Sequence, residues 1–235
     1  MRPSPPARRV AETLLFAPAP PAIPLTLRAY RAAGYLAPPF LAAFLKKRLK
    51  RGKEDPARQN ERWGRPTTPR PEGVLVWLHA ASVGEAASLL ELLRRLLTER
   101  PGLTCLVTTV TVTSEQFLRE RLPERCLHQF VPVDVLPWVE RFLAHWRPDL
   151  AVWTESELWP AALTATDATG APMLLVNARI SNRSYRRWRL ARGMARALVE
   201  QGCWQRQADD GTLYVAETRN HVIRRIAPDG TDAGP

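Results

Sequence analysis

The stretch VLVWLHAASVGEAASLLELLRRLLTERPGLTCLVTTVTV, residues 74–112, decides the fold class of this chain. It begins with a short apolar run, Val74 to Ala80, which is typical of a strand buried on both faces of a sheet. Leucines at helical spacing follow from Glu85 to Arg100, and a second strand is predicted from Leu103 to Val112. A strand, a helix and a strand in this order predict a parallel β-α-β unit.

The same alternation continues toward the carboxyl end of the chain. Buried strands and amphipathic helices keep alternating, which predicts an α/β domain with a Rossmann-like parallel sheet over residues 67–200. The further elements that we predict are a helix at Ser114–Leu122, a strand at Leu127–Val133, a helix at Trp138–Trp146, a strand at Leu150–Thr154, a helix at Leu158–Ala168, a strand at Met173–Ile180 and a basic helix at Tyr185–Val199.

The amino-terminal part of the chain differs from this domain. Residues 1–24 hold seven of the 22 prolines, so we predict a disordered extension there. The segment Leu25 to Leu45 is apolar but is interrupted by two arginines and by Pro38–Pro39, which disfavours a clean transmembrane span. The same prolines disfavour a signal peptide.

A basic cluster follows this apolar segment. An apolar segment joined to a polybasic cluster suits an anchor in the cytoplasmic leaflet of a membrane, and we predict a membrane-associated helix and a basic linker over residues 25–66. A soluble amphipathic helix with a solvated basic end is the alternative. The cluster consists of Lys46, Lys47, Arg48, Lys50, Arg51 and Lys53.

The carboxyl-terminal tail has a third kind of pattern. Residues 209–230, DDGTLYVAETRNHVIRRIAPDG, alternate apolar and polar residues between turn signals, which predicts an antiparallel hairpin. We therefore place a separate unit at residues 201–235 and expect it to contribute little to stability.

Net charge limits the classes of partner that are expected, and cysteine content limits the expected disulfide and metal chemistry. The formal charge of +11 favours a polyanion, which composition alone leaves open as nucleic acid, an anionic membrane or a phosphorylated substrate. The three cysteines, Cys105, Cys126 and Cys203, are far apart in sequence and have no CxxC or Cys/His companion. We expect reduced thiols and no zinc site.

Three candidate site loops follow predicted strands. His79 to Glu85, HAASVGE, comes directly after the first strand, where ligands gather in open α/β sheets. Its small residues, Ser82 and Gly84 among them, allow a substrate to approach the backbone, and the Glu85 carboxylate could act as a general base. A dipole partner at a helix N-terminus is the alternative role for Glu85.

The other loops are ESELWP at residues 155–160 and NARISNR at residues 177–183. Glu155 and Glu157 should meet Glu85 on one edge of the sheet, although Glu157 could instead cap a helix. Arg179, helped by Ser181, could bind phosphate or carboxylate. A helix N-cap at Ser181 with solvated arginines is the alternative.

Six motifs in order together resemble a known family. RGKEDPARQNERWGRP, WLHAASVGE, TTVTVTS, PVD, WTESELWP and LVNARIS make residues 36–197 similar to Kdo transferases, which transfer 3-deoxy-D-manno-octulosonic acid. The resemblance implies the N-terminal half of a GT-B glycosyltransferase that uses no cofactor or metal. The N-terminal domain of such an enzyme receives a lipid A precursor and the C-terminal domain holds CMP-Kdo, in lipopolysaccharide core biosynthesis at the membrane.

The resemblance also implies roles for individual residues. Glu85 is the implied general base and Glu155 the second carboxylate of the catalytic site. Ser82, Gly84, Glu157, Arg179 and Ser181 are the implied substrate-binding residues. The partners implied are a lipid A precursor and an anionic membrane surface, with no nucleic acid.

Three departures from the family pattern stand out. Ser114 and Ala161 replace residues that the family usually carries, and the tail resembles a single NHL-type repeat where a donor domain is expected. One repeat cannot bury its own face, so we expect a truncated or joined chain that is inactive alone. A non-catalytic membrane or lipid A binding module is the alternative function.

Overall fold

The structure is a computed structural model of the 235-residue chain. It describes residues 23–154, 158–176, 186, 188–199, 203–207, 213–217 and 222–226. The predicted extension over residues 1–24 lies almost wholly outside these residues.

The helices and strands are named here in chain order. The helices are α1 (Leu25–Leu36), α2 (Pro38–Lys50), α3 (Val83–Glu99), α4 (Val112–Arg119), α5 (Leu136–Trp146), α6 (Pro160–Ala168) and α7 (Arg192–Val199), with a 3₁₀ turn at Gln59–Trp63. The strands are β1 (Val74–Ala80), β2 (Leu103–Thr109), β3 (Cys126–Phe130), β4 (Leu150–Thr154), β5 (Met173–Val176), β6 (Cys203–Gln207), β7 (Leu213–Glu217) and β8 (Val222–Ile226).

The predicted parallel sheet is confirmed. The strand order is β3-β2-β1-β4-β5-β6-β7-β8, and β1 to β5 all run parallel. The order changes direction between β1 and β4, which is the topological switch point where open α/β sheets bind ligands. We call the edge of the sheet at which the parallel strands end the carboxyl edge.

Helix caps explain where the structure departs from the predicted boundaries. The strand predicted to reach Val112 ends at Thr109, because the Thr111 side chain accepts the Ser114 N–H and thereby starts α4 early. Likewise α3 begins at Val83, since Ser82 is its N-cap.

Two hydrophobic cores cover the two faces of the sheet. Alternate residues of β1 supply them, with Trp77 facing α5 and α6 and Leu78 facing α3 and α4. Both faces of β1 are therefore buried, which explains why its sequence is apolar without alternation.

The predicted anchor helix is two helices in the structure. Pro38 and Pro39 occupy the first turn of α2, where proline is tolerated, so the chain ends α1 at Leu36 and starts again after Ala37. Within the described part of the chain, no helix is long and apolar enough to cross a membrane.

The predicted basic linker is in part a buried element. Arg62 is only 4% exposed and pairs with Glu54 across 2.8 Å. Glu61 accepts the backbone N–H of Phe130 at 2.7 Å, and the Arg62 guanidinium lies 4.8 Å from the centre of the Phe130 ring. These contacts fasten the linker to the end of β3.

The hairpin predicted in the tail is present as β7 and β8, which pair antiparallel from Leu213↔Ile226 to Glu217↔Val222. The tail is also joined to the α/β sheet. β6 pairs parallel with β5 at Leu174↔Cys203 and Leu175↔Trp204, so the strands after residue 200 continue the same sheet.

Candidate functional site

Glu85 lies at the N-terminus of α3, beyond the end of β1. Ser82 caps this helix, and its Oγ accepts the Glu85 N–H at 3.2 Å while donating to Glu85 Oε1 at 2.9 Å. The Ser82 hydroxyl thus makes the N-cap half of a capping box, while the Glu85 carboxylate accepts the Ser82 hydroxyl and the Ala81 N–H instead of the Ser82 N–H. Because of this cap the helix begins at Val83, two residues before the predicted start at Glu85.

The other carboxylate oxygen of Glu85, Oε2, contacts one group in the same loop and one group at the end of a distant strand. Oε2 accepts the Ala81 N–H at 2.9 Å and lies 2.8 Å from Thr154 Oγ1 at the end of β4. The residue is 7% exposed. Within the described part of the chain, three donors orient a carboxylate that can accept about four hydrogen bonds, which leaves acceptor capacity for a fourth donor.

Thr154 is a site residue that sequence reasoning missed. Its hydroxyl lies 2.9 Å from the His79 carbonyl oxygen as well as 2.8 Å from Glu85 Oε2. It therefore ties the end of β4 to the loop after β1. A threonine that ends a buried strand is common, and the only available signal was its position directly before ESELWP.

His79 belongs to the core beneath the site. Its ring is fully buried, with its centre 4.9 Å from that of Trp153 in a tilted arrangement and 5.1 Å from that of Trp159 edge to face. Its Nδ1 lies 2.9 Å from Thr108 Oγ1. Burial lowers the pKa of His79 to about 3, so the ring is neutral at pH 7. A neutral, enclosed ring of this kind supports the loop above it.

Asp134 is a second residue whose structural role was not predicted from the sequence. Its carboxylate accepts the backbone N–H groups of Ala161 and Ala162 at the N-terminus of α6, and the hydroxyl of Tyr30 donates to it at 2.7 Å. Burial raises the pKa of Asp134 and also that of Tyr30. The PVD motif thus joins α1 to α6.

The remaining predicted residues are placed as follows. Gly84 has Ser82 Oγ, 3.9 Å away, as the nearest atom to an added Cβ, so the loop is uncrowded at this point. Glu155, Glu157, Arg179 and Ser181 lie outside the described residues. The described part of the chain contains no group of three or more His, Cys, Asp or Glu side chains able to hold a metal ion.

The family model and the curated relatives that match this chain indicate the same family. A family model for 3-deoxy-D-manno-octulosonic-acid transferase (kdotransferase) matches residues 57–222. A probable mitochondrial 3-deoxy-D-manno-octulosonic acid transferase of Arabidopsis thaliana is 38% identical over 161 residues, which are 68% of this chain and 36% of that protein. The 3-deoxy-D-manno-octulosonic acid transferase of Rickettsia bellii is 35% identical over 74% of this chain and 41% of its own length.

Solved structures are only distantly similar. A putative UDP-N-acetylglucosamine 2-epimerase from Listeria monocytogenes shares 14% identity at a TM-score of 0.42, covering 56% of this chain and 37% of that one.

The extent of the match to the family model decides the family of this chain. It runs without interruption from the linker through the parallel sheet into the strands after residue 200, and it contains Ser82, Glu85 and Thr154. The chain spans less than half the length of the two curated relatives named above. Because the model matches more than half of the present chain, the chain belongs to the 3-deoxy-D-manno-octulosonic acid (Kdo) transferase family.

Proposed function

We propose that this chain supplies the acceptor side of an inverting glycosyltransferase. The reaction is transfer of Kdo from CMP-Kdo to a lipid A precursor in lipopolysaccharide core biosynthesis. The observation that carries the proposal is the Glu85 carboxylate, which is buried at the carboxyl edge, held by three donors and still able to accept one more.

Glu85 acts as the general base in this proposal. The free acceptor position of its carboxylate takes the proton of a sugar hydroxyl on the acceptor. The oxygen of that hydroxyl forms a bond to the anomeric carbon of Kdo as the bond from that carbon to CMP breaks. The donors from Ala81, Ser82 and Thr154 fix the carboxylate in place before the substrate arrives. Such orientation is a recognised source of rate enhancement.

The membrane contact in this proposal is the outer face of α1 and α2. Leu36, Phe40 and Phe44 are exposed, and Phe40 reaches 77%. Lys47 and Lys50 follow on the same helix within the basic cluster. Exposed aromatic and apolar side chains beside cations suit an anionic surface, which we place at the cytoplasmic face of the inner membrane.

The test is a chimera in which residues 1–198 precede the donor domain of a family member, assayed for Kdo transfer to a lipid A precursor. Glu85→Gln should lower turnover by about 10²- to 10⁴-fold, the usual contribution of a positioned general base. Acceptor binding should change much less, because the amide and the carboxylate have nearly the same shape.

Glu91→Gln is the matched control, since Glu91 lies on the exposed face of the same helix and pairs only with Arg94 and Arg95 there. Turnover of Glu85→Gln within about threefold of the parent would exclude Glu85 as the base. Retained acceptor binding without any transfer in the parent chimera would favour the non-catalytic binding module.

A further inference from the structure

A cavity of about 440 Å³ opens at the carboxyl edge, between the α1–α2 pair and the ends of β2, β3 and β4. This volume lies within the range of about 300–1,000 Å³ that is usual for ligand sites. Its wall is mainly apolar, and the side chains that matter here are Phe44, Val110, Val131, Leu158 and Trp159.

The polar groups in the wall already have partners. Arg48 and Arg62 both pair with Glu54, at 2.5 and 2.8 Å, and the hydroxyl of Tyr30 donates to Asp134 at 2.7 Å. These groups have little capacity left for a polar ligand, so the cavity presents apolar surface to its occupant. A cavity with such a wall gains free energy by taking up an apolar group.

Phe44 connects the cavity to the proposed membrane face. It lines the cavity and is also 53% exposed, on the same helix as Phe40. Lys47, Lys50 and Arg51 continue along this part of the chain, and Lys47 and Lys50 lie in the last turns of α2. An apolar entrance beside several cations is complementary to a lipid that carries an anionic headgroup.

A short series of contacts leads from the cavity to Glu85. Trp159 in the cavity wall packs against His79 at 5.1 Å, and the His79 carbonyl lies 2.9 Å from Thr154 Oγ1. That same hydroxyl contacts Glu85. An occupant of the cavity would therefore lie on the same edge of the sheet as the proposed base.

We propose that this cavity takes one alkyl chain of a phosphorylated membrane lipid, whose phosphate the basic cluster at residues 46–53 binds. The inference rests on the proposed function and deepens it, because it gives the acceptor lipid a defined place for one of its chains. A small soluble apolar compound and a neutral lipid are the other occupants that the experiment distinguishes.

The experiment titrates the full chain with single-chain alkyl phosphates from hexyl to tetradecyl, each below its micelle concentration, by isothermal calorimetry. Affinity should rise about fourfold for each added methylene while the chain still enters the cavity. It should then level off once the cavity is full. Adsorption to an open surface would instead continue to strengthen with chain length, and that result would overturn the inference.

Val110→Phe is the decisive variant, because Val110 is half-buried and lines the cavity. The larger ring should move the plateau to shorter chains and weaken the longest phosphates by at least about tenfold, the loss of two methylene contributions. Leu158→Trp fills the same cavity from a different part of the chain and should have the same effect on the plateau. It replaces Val110→Phe if that variant proves unstable.

Val74→Phe is the matched control, since Val74 is half exposed and starts β1 at the opposite end of the sheet. It should bind every alkyl phosphate as the parent does. Equal effects of Val110→Phe and Val74→Phe, or none from either cavity variant, would overturn the inference.

Replacing Lys46, Lys47 and Lys50 by Gln should weaken the phosphates but leave neutral alkanols of the same length unchanged. Alkanols that bind as tightly as phosphates in the parent would show a general apolar site and contradict the lipid assignment. Binding needs no donor and no turnover, so a working chimera with no alkyl plateau refutes only this inference. A plateau together with an inactive chimera refutes only the proposed reaction.

Discussion

The carboxylate of Glu85 owes its position to groups from three places in the chain. Ala81 and Ser82 precede it in the same loop, and Thr154 ends a different strand. A hydrogen bond to a charged group contributes about 1.5–3 kcal/mol to stability, more than a neutral one. Among these donors, Thr154 alone is distant in sequence, so it decides where the loop sits relative to β4.

Thr154→Val tests this contribution at the residue scale. The two side chains have similar shapes, but valine has no hydroxyl to donate to Glu85 Oε2. We expect the free energy of unfolding, measured with urea, to fall by about 1.5–3 kcal/mol. Thr154→Ser keeps the hydroxyl and should lose less. A negligible loss for Thr154→Val together with a larger loss for Thr154→Ser would show that the methyl packing of Thr154 matters and its hydrogen bond does not.

At the scale of elements, the linker between α2 and β1 is held by paired charges rather than by a hydrophobic face. Glu54 receives both Arg48 and Arg62, while Arg58 pairs with Glu61. Arg58 and Arg62 each lie 4.8 Å from the centre of the Phe130 ring. Burial of charges is costly unless each has a partner, and here the partners come from the linker itself, from Arg48 of α2 and from Glu115 of α4.

Arg62→Ala should therefore destabilise the protein strongly. It leaves Glu54 buried with one partner fewer and removes the donor to the carbonyls of Val110 and Val131. Loss of one member of a buried pair costs about 3–5 kcal/mol, to be measured by urea unfolding. Arg65→Ala is the control, because Arg65 is exposed in the same segment. A loss below about 1 kcal/mol, the range of exposed pairs, would show that the network contributes little.

At the scale of the whole molecule, one side combines apolar and basic groups. The outer face of α1 and α2 carries exposed Leu36, Phe40 and Phe44 next to the basic cluster. On the inner face Leu27 is buried, and Tyr30 packs against the core to which α5 contributes and donates to Asp134. Removing residues 1–53 would therefore disturb the fold as well as the surface. Point substitutions on the outer face separate the two effects.

Flotation with anionic liposomes measures the membrane contact of the intact chain. The parent should float, and less so at high salt, because ions screen the surface attraction. Phe40→Ser with Phe44→Ser should reduce the floated fraction, whereas Val74→Ser removes an exposed apolar side chain elsewhere and should not. Unchanged flotation of the double variant would exclude this face as the contact.

Local patterns in the sequence determined the class of the fold and the position of one candidate base. The apolar runs at Val74–Ala80 and Leu150–Thr154 match β1 and β4, because a strand buried on both faces needs apolar residues throughout. Glu85 was predictable at the carboxyl edge, since a residue that follows a parallel strand into a helix must lie there. Cap residues then shifted the helix ends by a few positions.

Tertiary structure alone decided the partners that hold the site together. Thr154 and Glu85 are 69 residues apart, and Tyr30 and Asp134 are 104 apart, so no local spacing records either contact. Composition likewise predicted a basic linker, but it gave no sign that Arg62 in this segment is buried. The physical reason is the same in each case: a polar or charged group becomes stable in the interior only through the particular partner that folding brings to it.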